Sequence, residues 1–139
     1  MTVLLGRSPQ AGFEVVVRAP GGGPVVIRNA ALLHDGTPMP TLYWLVGEAE
    51  RHAVSRLEAG GGVRAAEAAV DPAALADAHS RYAAERDAAV PPDHVGPRPA
   101  GGVGGCRRGV KCLHAHYAYF LAGGDDPVGR WVARQLEAS

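Results

Sequence analysis

Thr41-Leu42-Tyr43-Trp44-Leu45-Val46-Gly47-Glu48-Ala49-Glu50-Arg51-His52-Ala53-Val54 is where the chain changes its rhythm. The first six residues are rich in aromatic and β-branched types, which fit a pleated, half-buried surface and predict a strand near 41–46. From Gly47 onward the apolar residues Ala49, Ala53, Val54 and Leu57 recur at helical spacing, so a helix is expected near 48–59. Everything upstream of this junction reads as sheet, and everything downstream as helix.

Upstream, Phe13-Glu14-Val15-Val16-Val17-Arg18 and Val25-Val26-Ile27-Arg28 flank Ala19-Pro20-Gly21-Gly22-Gly23-Pro24. That pattern predicts two antiparallel strands, near 13–18 and 25–28, with a hairpin-like connection. Asp35-Gly36 is a turn signal. Pro38 and Pro40 cannot donate ladder hydrogen bonds, so the third strand begins after them or runs along an edge there. Downstream, Gly60-Gly61-Gly62 stops the first helix. Asp71-Pro72 pairs an N-cap with proline at the first helical position, opening a helix near 72–89 that Pro91-Pro92 ends. Residues 91–105 hold four prolines and five glycines and read as a loop. A helix near 110–122 stops at Gly123-Gly124, and Asp126-Pro127 caps a last one near 127–136. Strands followed by helices give an α+β fold, a three-stranded antiparallel sheet with about four helices packed on one face. The strands lie too close in sequence for a parallel crossover.

The 139 residues suit a single domain spanning 1–139, able to build a core without disulfides or metals. Only 6% of residues are aromatic, so that core rests on Val, Leu and Ala. Fourteen basic and 14 acidic residues cancel, which argues against nucleic acid as a partner of the whole surface. No apolar run approaches a membrane span, and no signal peptide is visible. Two cysteines, Cys106 and Cys112, do not make a secreted disulfide framework, so the expected location is a reducing cytoplasm.

Charge is distributed unevenly. Between His94 and Gly124 there is no Asp or Glu, while Arg98, Arg107, Arg108 and Lys111 all fall there, Lys111 being the only lysine. Gly101-Gly102-Val103-Gly104-Gly105 precedes three of these cations. Free backbone N–H groups at a helix start, with cations beside them, make an anion cradle. Gly104, Gly105, Arg107, Arg108 and Lys111 are therefore the candidate ligand-binding residues. Tyr82 and Arg86 join them as a polar wall on the 72–89 helix, one turn beyond His79. The spacing is not that of a P-loop, since Val110 stands where lysine is required. The bland alternative is a flexible loop with solvated arginines.

Cys112, His114 and His116 form the second candidate. On the expected helix Cys112 and His116 are four apart and share a face. Cys106, Cys112, His114 and His116 are residue types that zinc takes, but their spacing matches no standard zinc module, so zinc is considered and not favoured. Cys112 near a helix N-terminus and three cations can also serve as a nucleophile, with His114 or His116 as base. No orienting carboxylate is visible near these histidines, which weakens an enzyme reading. The ordinary alternative for either histidine is a satisfied core side chain. His34-Asp35 reads as a turn rather than a catalytic pair.

Gly36-Thr37-Pro38-Met39-Pro40-Thr41-Leu42-Tyr43-Trp44-Leu45 and Gly109-Val110-Lys111-Cys112-Leu113-His114, with Arg81-Tyr82-Ala83-Ala84-Glu85-Arg86-Asp87 and Asp126-Pro127-Val128-Gly129, resemble an actinobacterial domain-of-unknown-function family, number five hundred and one. The resemblance covers nearly the whole chain. It implies a genomic neighbourhood of a septum-formation initiator and an exopolyphosphatase, hence a cell-division or polyphosphate context by association. It also implies a cysteine in the first hairpin, where this chain has Ala19. If that cysteine shared a metal with the one matching Cys112, a ligand is lost here unless Cys106 substitutes.

The leading expectation is thus a non-catalytic binding or regulatory module holding a small anionic or phosphate-bearing ligand at residues 104–116. A Cys112-dependent enzyme and a protein–protein adaptor linked to cell division are the alternatives.

Overall fold

Strand β1 (Phe13–Arg18) meets β2 (Pro24–Asn29) through a turn in which Ala19 N–H donates to Gly23 O and Gly22 N–H to Ala19 O, both at 2.8 Å. These are taken from a computed structural model that describes residues 13–30, 41–96, 99–103 and 109–138. Strand β3 (Tyr43–Leu45) completes an antiparallel sheet in the order β1-β2-β3. Register runs Glu14 with Arg28 and Val15 with Ile27, then slips on either side of Val17. On the other edge of β2, Ile27 faces Trp44 and Arg28 faces Tyr43. The central position of β2 explains its unbroken apolar run: Val25, Val26 and Ile27 are all buried.

Among the described residues five helices follow, α1 (Glu48–Ala59), α2 (Gly62–Ala69), α3 (Pro72–Ala88), α4 (Leu113–Leu121) and α5 (Pro127–Ala138). The fold is α+β, with one helix more than expected. Gly60-Gly61-Gly62 ends α1 at Ala59, as expected, and at once turns the chain into α2. Gly61 sits at φ 87°, a left-handed conformation open to glycine, and Ala65 N–H already bonds back to its carbonyl. Val63 and Ala66 then turn inward as the apolar face of α2.

Helix α3 starts as expected, with Asp71 Oδ2 accepting the Ala74 N–H at 3.2 Å and Pro72 at the first position. Helix α4 corrects the sequence reading. It begins at Leu113, and Cys112 is its extended N-cap (φ −150°, ψ 141°), so Val110 and Lys111 precede the helix. The i, i+4 pairing of Cys112 with His116 therefore does not apply, because Cys112 is not on the helical cylinder. The core gathers Val26, Leu42, Val54, Ala66, Tyr82, Leu113, Ala118, Val128 and Val132 into one cluster between the sheet and the helices.

Candidate functional site

Two segments, the last turn of α1 and residues 112–115, meet at the start of α4. Cys112 Sγ accepts the Ala115 N–H at 3.4 Å, the bond an N-cap side chain makes. Glu58, in the last turn of α1, accepts the Leu113 N–H through Oε2 at 2.7 Å, satisfying another orphan amide of the same helix start. Its second oxygen, Oε1, lies 3.2 Å from His114 Nδ1. Donor atoms of Glu58, Cys112 and His114 all lie within 4.8 Å of one another, and all three side chains are half-buried. Among the described residues no other three His, Cys, Asp or Glu side chains come together in this way.

The protons of His114 decide what this arrangement can do. Its Nε2 lies 3.2 Å from Ser55 Oγ and 3.3 Å from the Arg51 carbonyl. A carbonyl only accepts, so Nε2 carries a hydrogen. In a neutral ring Nδ1 is then a bare lone pair facing a carboxylate. A proton shared from the Cys112 thiol, a second ring proton or a metal cation can each sit there. Consistent with a second ring proton, the hydrogen bond to Cys112 raises the His114 pKa from its ordinary value; burial opposes this, and the Glu58 charge adds to it. A cavity of about 350 Å³ lies on the Nε2 side of the ring, lined by Glu48, Arg51, His52, Ser55 and His114.

His116 does not join this site. It points into the core, where its Nδ1–H donates to Asp126 Oδ2 at 2.7 Å, with the two side chains 1% and 0% exposed. Asp126 Oδ1 accepts the Val128 and Gly129 N–H groups that open α5. His116 Nε2 is buried without a hydrogen-bond partner. The four expected metal ligands are thus not brought together: His116 faces Asp126, and Cys106 lies outside the described residues. The missing orienting carboxylate is also corrected, because each histidine has one, Glu58 for His114 and Asp126 for His116. Glu58 carried no local signal, being 54 residues from Cys112; Asp126 did, as the helix cap before Pro127.

Of the expected anion cradle, Gly104, Gly105, Arg107 and Arg108 lie outside the described residues, as does His34-Asp35, and Lys111 is exposed. Tyr82 and Arg86 are buried and bound internally, so they offer no open polar wall. Tyr82 Oη accepts the Leu42 and Tyr43 N–H groups, and burial pushes its pKa up to about 12. Arg86 donates to the Gly101 carbonyl at 2.8 Å and to Asp87 Oδ1 at 3.1 Å. His79, Tyr82 and Arg86 together grip backbone groups at 42–43, 100–103 and 109.

The model of the family described as a protein of unknown function, DUF501, matches residues 15–134. The chain belongs to the DUF501 family. Its match runs from β1 into α5 and so takes in Glu58, Cys112, His114, His116 and Asp126. No curated protein and no solved structure matches this DUF501 chain. No helix among its described residues is long and apolar enough to cross a membrane.

Proposed function

We propose that this DUF501 protein is a metal-binding module, with zinc held by Cys112, His114 and Glu58. The observation that carries the reading is the convergence of His114 Nδ1, Glu58 Oε1 and Cys112 Sγ, three atoms of the kinds that zinc takes, within 4.8 Å of one another. A tetrahedral zinc site places ligand atoms roughly 3.5 Å apart, given bonds of about 2.0–2.3 Å. The present spread, within 4.8 Å, is closed by side-chain adjustments of about an ångström. Each ligand also has the outer partner that metal ligands use. His114 Nε2–H has the Arg51 carbonyl, Glu58 Oε2 has the Leu113 amide and Cys112 has the Ala115 amide.

Titration with Co²⁺ in place of zinc tests this. A thiolate-to-cobalt absorption band should appear at one equivalent, vanish in Cys112→Ser, and weaken in His114→Ala and Glu58→Gln. Tag-free protein that takes up neither metal at one equivalent rules the module out. The closeness of the Cys112 thiol to His114 favours one further reading, a Cys112 nucleophile with His114 as base and Glu58 as its orienting carboxylate. Alkylation of the metal-free protein near pH 6 separates the two. A nucleophile reacts much faster than a free thiol of pKa about 8.5, and added zinc protects a metal ligand.

A further inference from the structure

His79 sits in the middle of α3, 5% exposed, with both ring nitrogens occupied by backbone groups far apart in sequence. The Val103 N–H donates to Nδ1 at 3.0 Å, and Nε2 lies 2.9 Å from the Gly109 carbonyl. An amide N–H can only donate and a carbonyl can only accept. These two partners therefore fix one neutral tautomer, with the hydrogen on Nε2. The fit is close on a third side as well. A Cβ on Gly102 would meet the imidazole at 2.4–2.7 Å, so the backbone of Gly102 lies directly against the ring.

We infer that His79 is a pH-sensitive clamp, holding residues 102–103 on α3 while neutral and releasing Val103 when protonated. A proton on Nδ1 sets two N–H groups against each other at a ring that is 5% exposed, so the Val103 bond is lost. The Gly109 bond survives, since Nε2–H still donates. Release is therefore one-sided, at Val103. Gly102, next to the amide that lets go, lines a cavity of about 400 Å³ with Ala76, Ser80 and Ala83 of α3. Acid would open that cavity.

The groups around His79 set the pH at which this happens. From α4, His116 approaches with ring centroids 5.5 Å apart and edge-on, and beyond it stands Asp126 at the head of α5. From α2, Glu67 accepts the Val110 N–H beside Gly109. Along α3 itself the neighbours one and two turns on are Tyr82 and Arg86. Burial is the largest influence and lowers the His79 pKa from its ordinary value. The Gly109 carbonyl opposes it, His116 adds to it, and Asp126 opposes it. Because the folded pKa lies below the unfolded value of about 6.5, the clamp is fully made above that pH. It is lost as pH falls from there through the lowered value.

Hydrogen exchange at the Val103 amide, corrected for its intrinsic rate, reads the clamp directly. Between about pH 7.5 and about pH 5, protection in the wild-type protein should fall by about tenfold or more, while core amides such as that of Val132 keep theirs. His79→Gln offers the same acceptor and donor without titrating, so its Val103 protection should not change over that range. Gly102→Ala, which forces the segment off the ring, should show weak Val103 protection at both pH values. Nitrogen NMR of the wild-type ring should find the Nε2–H tautomer at neutral pH. A neutral ring carrying its hydrogen on Nδ1 overturns the inference without any variant. So does Val103 protection that is independent of pH in the wild type, or that falls equally in His79→Gln.

Discussion

His116 donates its Nδ1–H to Asp126 at 2.7 Å, and this one pair ties the middle of α4 to the first turn of α5. Both carboxylate oxygens are used, one on the imidazole and one on the Val128 and Gly129 amides. Removing the carboxylate takes away a helix cap, worth about 1 kcal/mol, and a buried charge-assisted hydrogen bond, worth about 1.5–3 kcal/mol. Asp126→Ala should therefore cost about 3 kcal/mol in urea unfolding. Asp126→Asn, which keeps an oxygen for the cap, should cost less. A loss below about 0.5 kcal/mol for the alanine variant would show that the pair is replaceable by water.

The glycine corner between α1 and α2 makes a second prediction, because two of its three glycines are needed for different reasons. Gly62 has acceptable backbone angles but no room: a Cβ there would lie 2.5 Å from the Leu57 carbonyl oxygen and 3.0 Å from Leu113 Cδ1. Gly61 has room but a φ of 87°, which L-residues adopt at a cost of about 1–2 kcal/mol. Gly62→Ala should destabilise by about 1–3 kcal/mol, as overpacking does, and should also disturb the adjoining start of α4. Thermal melts together with cobalt binding distinguish the two. Gly62→Ala should weaken both stability and metal uptake, Gly61→Ala stability alone.

A third prediction concerns the basic stretch. If Arg107, Arg108 and Lys111 hold an anion, pyrophosphate or short polyphosphate should raise the melting temperature, because a ligand of the folded state stabilises it. The shift should shrink with salt, as exposed cations are screened. Arg107→Ala, Arg108→Ala and Lys111→Ala should each reduce it, and Arg64→Ala on α2 should not. No shift at low salt with any of these anions removes the anion-binding reading.

The order of elements was legible because it rests on local chemistry. Val25 to Ile27 is β-branched, Asp71-Pro72 caps a helix, and both act where they stand in the chain. Helix α2 was hidden because three glycines in a row end a helix whether a loop or a tight corner follows; Leu57 and Leu113, packed about Gly62, decide between them. The site was half legible for a similar reason. Cys112 and His114 stand together in sequence, whereas Glu58 reaches them only when α1 packs against α4. The Arg51 carbonyl, which fixes the hydrogen on His114 Nε2, is a backbone group that no residue pattern announces. Tyr82 and Arg86 misled because a polar face on a helix has the same spacing whether it meets a ligand or the chain's own carbonyls.

The last prediction uses the proton balance of His114 to separate the metal-free and metal-bound protein. Without metal, the folded-state pKa of His114 is raised, first by Cys112 and with help from Glu58. A histidine of this kind contributes stability that is fully present below its unfolded pKa of about 6.5 and is lost as pH rises through the folded value. Metal-free wild-type protein should therefore lose its stability advantage over His114→Ala as pH rises from about 6 to about 9. Zinc reverses the slope, because it needs the Nδ1 lone pair and the thiolate, and so competes with protons for both. The zinc-induced rise in melting temperature should be small near pH 6 and should grow towards pH 8. The stabilisation behind that rise approaches about 4 kcal/mol when free zinc is a thousandfold above its dissociation constant. Calorimetric melts across that range, with and without zinc, supply both slopes. A zinc shift that ignores pH, or that persists unchanged in His114→Ala, would place the metal elsewhere on the protein.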